Sequence, residues 1–196
     1  MKSSKHKIVQ RAGLAAILVT TLACNSINRE TSPVKLVLSN TQNLTQIDLS
    51  GGTRCTEDVA TVEMRSVLLQ DQTNSTLPTD NRFNDIVINQ YQVTYQRTDG
   101  GKAIPPSFVR PISDTIISGG SSSGLTKFLI FEPGAVNQAP FVSLLPVNGG
   151  RDPETGSQFV KMNVTLQVFG TTLAGERVSG TTTIPLIFCY ACNGCG

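Results

Sequence analysis

The chain has 196 residues, 39% hydrophobic and 15% charged, which is enough to bury the core of one ordinary domain. Its single histidine, His6, lies within the first 23 residues, and tryptophan is absent. The rest of the chain therefore lacks the groups for Ser-His-Asp or Cys-His catalysis, for His-ligated zinc or haem, and for stacking sugars on Trp. It keeps 12 basic and 14 acidic residues and has no basic run, which argues against a nucleic-acid partner.

The N-terminus has the three parts of a secretory signal peptide. Four basic residues lie between Lys2 and Arg11, and no acid accompanies them. An apolar run follows over residues 12–19 and is too short to span a bilayer stably. Small and polar residues then lead to Ala23 and Cys24. We expect residues 1–23 to be removed, so that Cys24 becomes the first residue of the mature chain.

The position of Cys24 resembles the signal of bacterial lipoproteins, in which the new N-terminal cysteine carries acyl chains such as palmitate. Ala23 and Leu22 suit that signal, whereas Thr21 stands where the family usually has Leu, so the motif is degenerate. The resemblance implies a lipid anchor in the cell envelope, and Asn25 in place of Asp implies the outer membrane, with the domain facing the periplasm or the outside. An ordinary secreted protein cut at the same bond is the alternative.

Residues 24–33 are short and polar, and we interpret them as the lipidated N-terminus and a tether. From residue 34 to residue 188, apolar and polar side chains alternate in successive runs, which is typical of half-buried strands. The predicted strands are Val34–Ser39, Ala60–Leu68, Gln90–Gln96, Phe108–Ser118, Leu125–Glu132, Met162–Val168 and Gly180–Phe188, with Phe141–Leu145 as an eighth. We therefore predict seven or eight strands.

Glycine-rich turns at residues 99–101, 119–120, 149–150 and 173–176 separate these runs. With no 3.6-residue period, the pattern predicts an all-β fold, an antiparallel β-sandwich. The segment Tyr91–Gly100 resembles the third strand of fibronectin type III and related immunoglobulin-like modules. The closing hairpin, Phe159–Gly170 and Arg177–Phe188, is similar to their last two strands. The resemblance implies an immunoglobulin-like sandwich over residues 34–188, although the core Trp of those families is absent.

Residues 189–196 form a cysteine-rich tail with Cys189, Cys192 and Cys195. With Cys55 they leave four cysteines once Cys24 is lipidated, and we favour two disulfides because the bacterial envelope is oxidising. A four-thiolate zinc or iron–sulfur site is the second interpretation, and a redox-active Cys-x-x-Cys pair is the third. The immunoglobulin-like resemblance implies a bridge from Cys55 to one terminal cysteine and a small local ring between the other two.

These features predict a lipid-anchored, non-catalytic binding or assembly module of the cell envelope, with no cofactor and no nucleic-acid partner. Its expected partners are the membrane, through the lipid, and an envelope protein. Strand edges and the loops Gln72–Phe83 and Phe131–Gly156 are the expected contacts. The alternative is a metal- or thiol-based redox protein that uses the terminal cysteines. The acids are scattered and form no recognisable pair, so a carboxylate hydrolase ranks third.

Overall fold

The computed structural model describes residues 32–41, 45–50, 59–69, 82–118 and 124–192. The prediction of an all-β fold is confirmed, because strands dominate these residues and the helices among them are short 3₁₀ turns. The strands are β1 (Val34–Asn40), β2 (Gln46–Asp48), β3 (Val59–Leu68), β4 (Ile86–Arg97), β5 (Phe108–Ile116), β6 (Gly124–Leu129), β7 (Phe159–Thr172) and β8 (Arg177–Cys189). In the described part of the chain, no helix is long and apolar enough to cross a membrane.

The strands form two sheets, one in the order β1-β3-β6 and the other in the order β2-β8-β7-β4-β5. The smaller sheet, β1, β3 and β6, corresponds to strands A, B and E of an immunoglobulin-like domain. In the larger sheet, β4, β7 and β8 correspond to strands C, F and G. This is the division of an immunoglobulin-like sandwich. β2 and β5 are the outer strands of the larger sheet.

One pair corrects the prediction of a wholly antiparallel sandwich, because β2 runs parallel to β8. β2 has only three residues, and the alternation around it is limited to Ile47 and Leu49, which is too short a run to predict a strand. β2 and β8 are far apart in sequence and are not joined by a hairpin, so the chain connection does not force antiparallel pairing and allows the parallel pair.

The core lies between the two sheets, and aromatic rings meet across it. Tyr91 of β4 contacts Phe128 of β6 edge to face, with 5.1 Å between ring centroids. The Tyr95 hydroxyl donates a hydrogen bond of 2.8 Å to the carbonyl of Ile130, so this buried phenol is satisfied. Alternating residues on β4, β7 and β8 point into this core as predicted. The sandwich thus fills its centre without a tryptophan.

Gly180 marks the place where β1 crosses closely over β8. A Cβ atom at this position would lie 2.6 Å from the carbonyl oxygen of Leu36 and would also collide with the Leu38 side chain. Gly180 therefore continues the inward-facing row of β8 in a place where only a hydrogen fits between the sheets.

The segment between β6 and β7 corrects the predicted strand at Phe141–Leu145. It forms three short 3₁₀ helices, Pro133–Asn137, Phe141–Leu144 and Pro146–Asn148. Phe141 and Leu144 are both fully buried, and this spacing of three residues suits a 3₁₀ turn rather than a strand. The Phe141 ring packs against the Phe188 ring, with 4.7 Å between the ring centroids. This long loop thus contributes Phe141 and Leu144 to the core, while other residues of the loop, such as Val147, are exposed.

Candidate functional site

The structure places two of the predicted site cysteines. Cys189 ends β8 and is joined to Cys192 by a disulfide, with 5.8 Å between the Cα atoms. Cys24, Cys55 and Cys195 lie outside the described residues. The local ring is therefore Cys189–Cys192, so Cys189 is not the partner of Cys55. Within the described ranges, no group of three or more His, Cys, Asp or Glu side chains is arranged to hold a metal ion.

Asp48, at the end of β2, organises the turn that this disulfide closes. Its Oδ1 accepts hydrogen bonds of 2.9 Å from the backbone N–H groups of Ser50 and Ala191, and its Oδ2 accepts one of 3.2 Å from Cys192. Burial raises the pKa of Asp48, but the bonds from Ser50, Ala191 and Cys192 outweigh it and hold the pKa below its ordinary value. The ionised carboxylate therefore anchors the start of the cysteine-rich tail to β2.

This arrangement bears on thiol chemistry. A reactive Cys-x-x-Cys thiolate is stabilised by backbone N–H groups or by nearby cations. Here the N–H groups of Ala191 and Cys192 donate to the Asp48 carboxylate, which adds a negative charge beside the sulfur pair. Such surroundings favour the disulfide over a thiolate. The Cys189–Cys192 ring therefore has the surroundings of a structural disulfide.

A second polar cluster lies at the end of β4, around Arg97. The guanidinium contacts Asp99 at 2.7 Å, Asp152 at 2.7 Å and Glu154 at 3.5 Å. The side chains of Arg97 and Asp152 are 2% and 1% exposed. Glu154 also accepts hydrogen bonds from the N–H groups of Lys102 and Ala103. The cluster thus ties the β4–β5 loop to the segment before β7.

The electrostatics of the Arg97 cluster are those of a structural ion-pair network. Burial raises the pKa values of Asp99 and Asp152, but the hydrogen bonds from Arg97 and the charge of its guanidinium outweigh it and lower both pKa values. These carboxylates are ionised and held by donors, so neither is prepared to act as a general acid. We therefore interpret the Arg97 cluster as a structural contact that holds the β4–β5 loop in place, and not as a catalytic site.

Side chains of β5 contact residues of β6 and of the segment that follows it. Asp114 of β5 accepts a hydrogen bond of 2.6 Å from the Thr126 hydroxyl of β6, and Arg110 of β5 pairs with Glu132 at 2.9 Å. Pro111 interrupts the same strand and has no N–H to donate. These side-chain contacts connect the two sheets at this edge of the sandwich.

The outer side of the larger sheet carries an unusual set of side chains, which we call the polar face. All nine are amides or hydroxyls, and none is charged. They are Gln92, Thr94, Gln96, Asn163, Thr165, Gln167, Ser179, Thr181 and Thr183. In register across three strands, Thr94 lies opposite Thr165, and Thr165 lies opposite Thr183. The result is a continuous surface of hydrogen-bond donors and acceptors, and the exposed cations Lys161 and Arg177 lie in the same outward-facing rows at its margins.

A β-bulge in β4 opens a pocket beside the polar face. The register changes from Ile88 opposite Gly170 to Gln90 opposite Phe169, so Asn89 has no partner on β7. Bulges bend a strand and are common near binding sites. The bulge pocket has a volume of about 360 Å³ and is lined by Asn89, Gln90, Phe169, Gly170, Thr171, Arg177 and Val178.

Arg177 supplies the only charge among the lining residues of the bulge pocket. The five ion pairs found in the described part of the chain do not involve this guanidinium. Asn89, Gln90 and Thr171 add amide and hydroxyl groups, and Phe169 adds a half-buried ring. The pocket therefore offers one cation, several neutral hydrogen-bonding groups and one apolar surface.

The bulge pocket is not among the predicted sites, although the sequence carries a signal for the bulge. The inward-facing residues are Ile86 and Ile88 before the bulge, and Tyr91, Val93 and Tyr95 after it. The alternation thus changes phase between Ile88 and Tyr91, where Asn89 and Gln90 are two successive exposed residues. Such a phase change is what an extra residue in a strand produces.

Comparison with known proteins adds no assignment. No protein-family model matches the chain, no curated protein matches it, and no solved structure matches it.

Proposed function

We propose that this protein is a lipid-anchored, non-catalytic binding module of the cell envelope, held through Cys24 and contacting an envelope component with the polar face. The observation that supports contact through this face is its composition, nine neighbouring amide and hydroxyl side chains without a charge. Covering charged groups costs far more desolvation free energy than covering neutral ones. A face of this kind is therefore suited to reversible contact.

The rest of the molecule supports the same choice of surface. The Phe131–Gly156 loop contributes buried side chains to the core, and side chains of β5 are engaged with Thr126 and Glu132. Residues 72–81 of the other predicted contact loop lie outside the described residues. The nine side chains of the polar face, by contrast, lie on the described outer side of the larger sheet.

The anchor part of the proposal depends on the leader. Residues 25–33 lie between the proposed lipidated Cys24 and the start of β1 at Val34. If extended, such a segment reaches about 30 Å. The domain is thus free to meet a component of the envelope away from the bilayer.

A redox function is the alternative, and the contacts of Asp48 argue against it. The backbone donors that would stabilise a Cys192 thiolate are bound to the Asp48 carboxylate. We therefore propose contact rather than electron transfer.

The anchor is tested by replacing Cys24 with Ala. We expect the wild-type protein in the membrane fraction, with an intact mass that includes acyl chains, and the C24A variant in the soluble fraction. An Asn25→Gln variant, which keeps the cysteine, serves as the control and should stay membrane-bound. An unacylated wild-type mass, together with unchanged fractionation of C24A, would contradict the anchor.

The contact is tested in intact cells with a photo-reactive amino acid placed at one residue at a time. On the polar face, Thr94 or Thr183 should give a specific adduct with an envelope component. Ser39, which is exposed on the outer side of the smaller sheet, is the matched control and should give none. Equal labelling from both sheets, or no adduct from either, would contradict the proposed surface.

A further inference from the structure

We infer that the bulge pocket binds an acidic sugar unit, so that the envelope component recognised by this protein is a carboxylate-bearing polysaccharide. This inference rests on the proposed function and gives its partner a chemical class. The pocket lies on the same side of the larger sheet as the polar face. Gln90 follows the bulge and lies two residues before Gln92, the first residue of that face on β4.

The charge of the pocket selects an anion. Arg177 is its only charged lining residue, and no acid is among the nine residues of the polar face. A guanidinium presents two parallel N–H groups that match the two oxygens of a carboxylate. Since Arg177 is not engaged in any of the ion pairs found among the described residues, a ligand carboxylate has no internal competitor to displace.

The other lining groups select a sugar. Amide groups of Asn89 and Gln90 and the hydroxyl of Thr171 both donate and accept hydrogen bonds, as ring hydroxyls require. The ring of Phe169 offers an apolar surface to the C–H side of a sugar ring. A volume of about 360 Å³ lies at the small end of ligand pockets, which suits one unit of a longer chain.

The position of the pocket favours a polysaccharide over a peptide or a second copy of this chain. A peptide strand adds to a free sheet edge, whereas β4 is paired with both β5 and β7. Stable protein interfaces have an apolar centre with aromatic residues. The polar face has amides and hydroxyls instead, which continue the hydrogen-bonding surface along which a polymer of sugars would lie.

The experiment measures binding of the purified, disulfide-bonded mature protein to three probes by calorimetry. These are a galacturonate tetramer, the neutral galactose tetramer and a tetraglutamate peptide. We expect binding of the galacturonate tetramer alone, weakened about 10- to 100-fold by Arg177→Gln. Lys127→Gln removes one exposed positive charge from the other sheet and should leave the affinity unchanged. Both variants should have the melting temperature of the wild-type protein.

The outcomes separate this inference from the proposed function. Equal binding of both sugar tetramers, with no effect of R177Q, would overturn the carboxylate assignment. Binding of tetraglutamate as strong as that of the galacturonate tetramer would overturn the sugar assignment. If no sugar binds but the polar face still yields a specific protein adduct in cells, the inference fails and the proposed function stands. If neither sugar nor adduct is found, both fail.

Discussion

Arg97 and Asp152 are 55 positions apart in the chain, yet the guanidinium and the carboxylate meet at 2.7 Å with 2% and 1% of their side chains exposed. The pair joins the end of β4 to the segment before β7. Because both groups are out of water, each depends on the other to stay charged, and removing either one leaves an uncompensated buried charge. This pair holds together the end of the larger sheet.

Replacing Arg97 with Met should therefore lower the free energy of unfolding by about 3–5 kcal/mol, since Asp152 and Asp99 lose their cation. Arg65 provides the control, because it pairs with Glu63 while its own side chain is 62% exposed. Arg65→Met should cost less than about 1 kcal/mol. Urea unfolding of both variants measures the difference, and equal costs would contradict the assigned role of the Arg97 cluster.

The same cluster predicts a loss of stability in acid. Arg97 holds the pKa values of Asp99 and Asp152 below the ordinary value of 3.8, despite their burial. Depressed carboxylate pKa values add stability that is fully present above the unfolded-state pKa and is lost as pH falls through the folded-state pKa. Urea midpoints should thus fall as the pH drops below about 4. R97M should show a shallower fall over this range, and an identical pH profile would contradict the linkage.

Adding a side chain at Gly180 should destabilise the protein. Gly180→Ala places a methyl group against the Leu36 carbonyl oxygen and the Leu38 side chain, so β1 must move away from β8. We expect a loss of about 1–3 kcal/mol, the usual cost of overpacking. Gly134→Ala is the matched control, because a Cβ atom there meets nothing within 4 Å. Thermal unfolding of the two variants should differ clearly, and equal melting temperatures would refute the close contact.

Asp48→Ala should release the turn that contains the disulfide. Three backbone N–H groups lose their acceptor, and a single hydrogen bond to a charged group is worth about 1.5–3 kcal/mol. Hydrogen exchange should become faster at the amides of Ala191 and Cys192. Asp48→Asn keeps one oxygen acceptor and should show a smaller effect. Unchanged exchange in D48A would mean that the disulfide alone holds the turn.

The cysteines should resist alkylation in the denatured, unreduced mature protein. Peptide mapping should recover the Cys189–Cys192 link seen in the structure. If all four cysteines pair, as the oxidising envelope favours, Cys55 and Cys195 form the second disulfide. Reduction before alkylation should then label all four. Four free thiols with one bound zinc or iron per chain would instead support the metal interpretation.

The alternation of residues located the strands well, because it reflects which neighbouring side chains face the core. On β7, Met162, Val164, Leu166 and Val168 are all buried, as the period of two predicted. The same reasoning failed at Phe141–Leu145, where a run of apolar residues packs from a 3₁₀ helix. Burial alone does not distinguish a short strand from a short helix.

The amino-acid sequence by itself determined that the chain folds as an all-β domain with runs of half-buried strands, because side-chain periodicity is local. The anchor prediction is also local, because it depends on the order of basic, apolar and small residues directly before Cys24. Only the tertiary structure decided which distant groups meet. The pairing of β2 with β8, the contact of Arg97 with Asp152 and the pocket between Asn89 and Arg177 all depend on strand order and register. These relationships join segments far apart in the chain. The phase change at Asn89 and Gln90 signals the bulge, but no local pattern shows that Arg177 lies beside it.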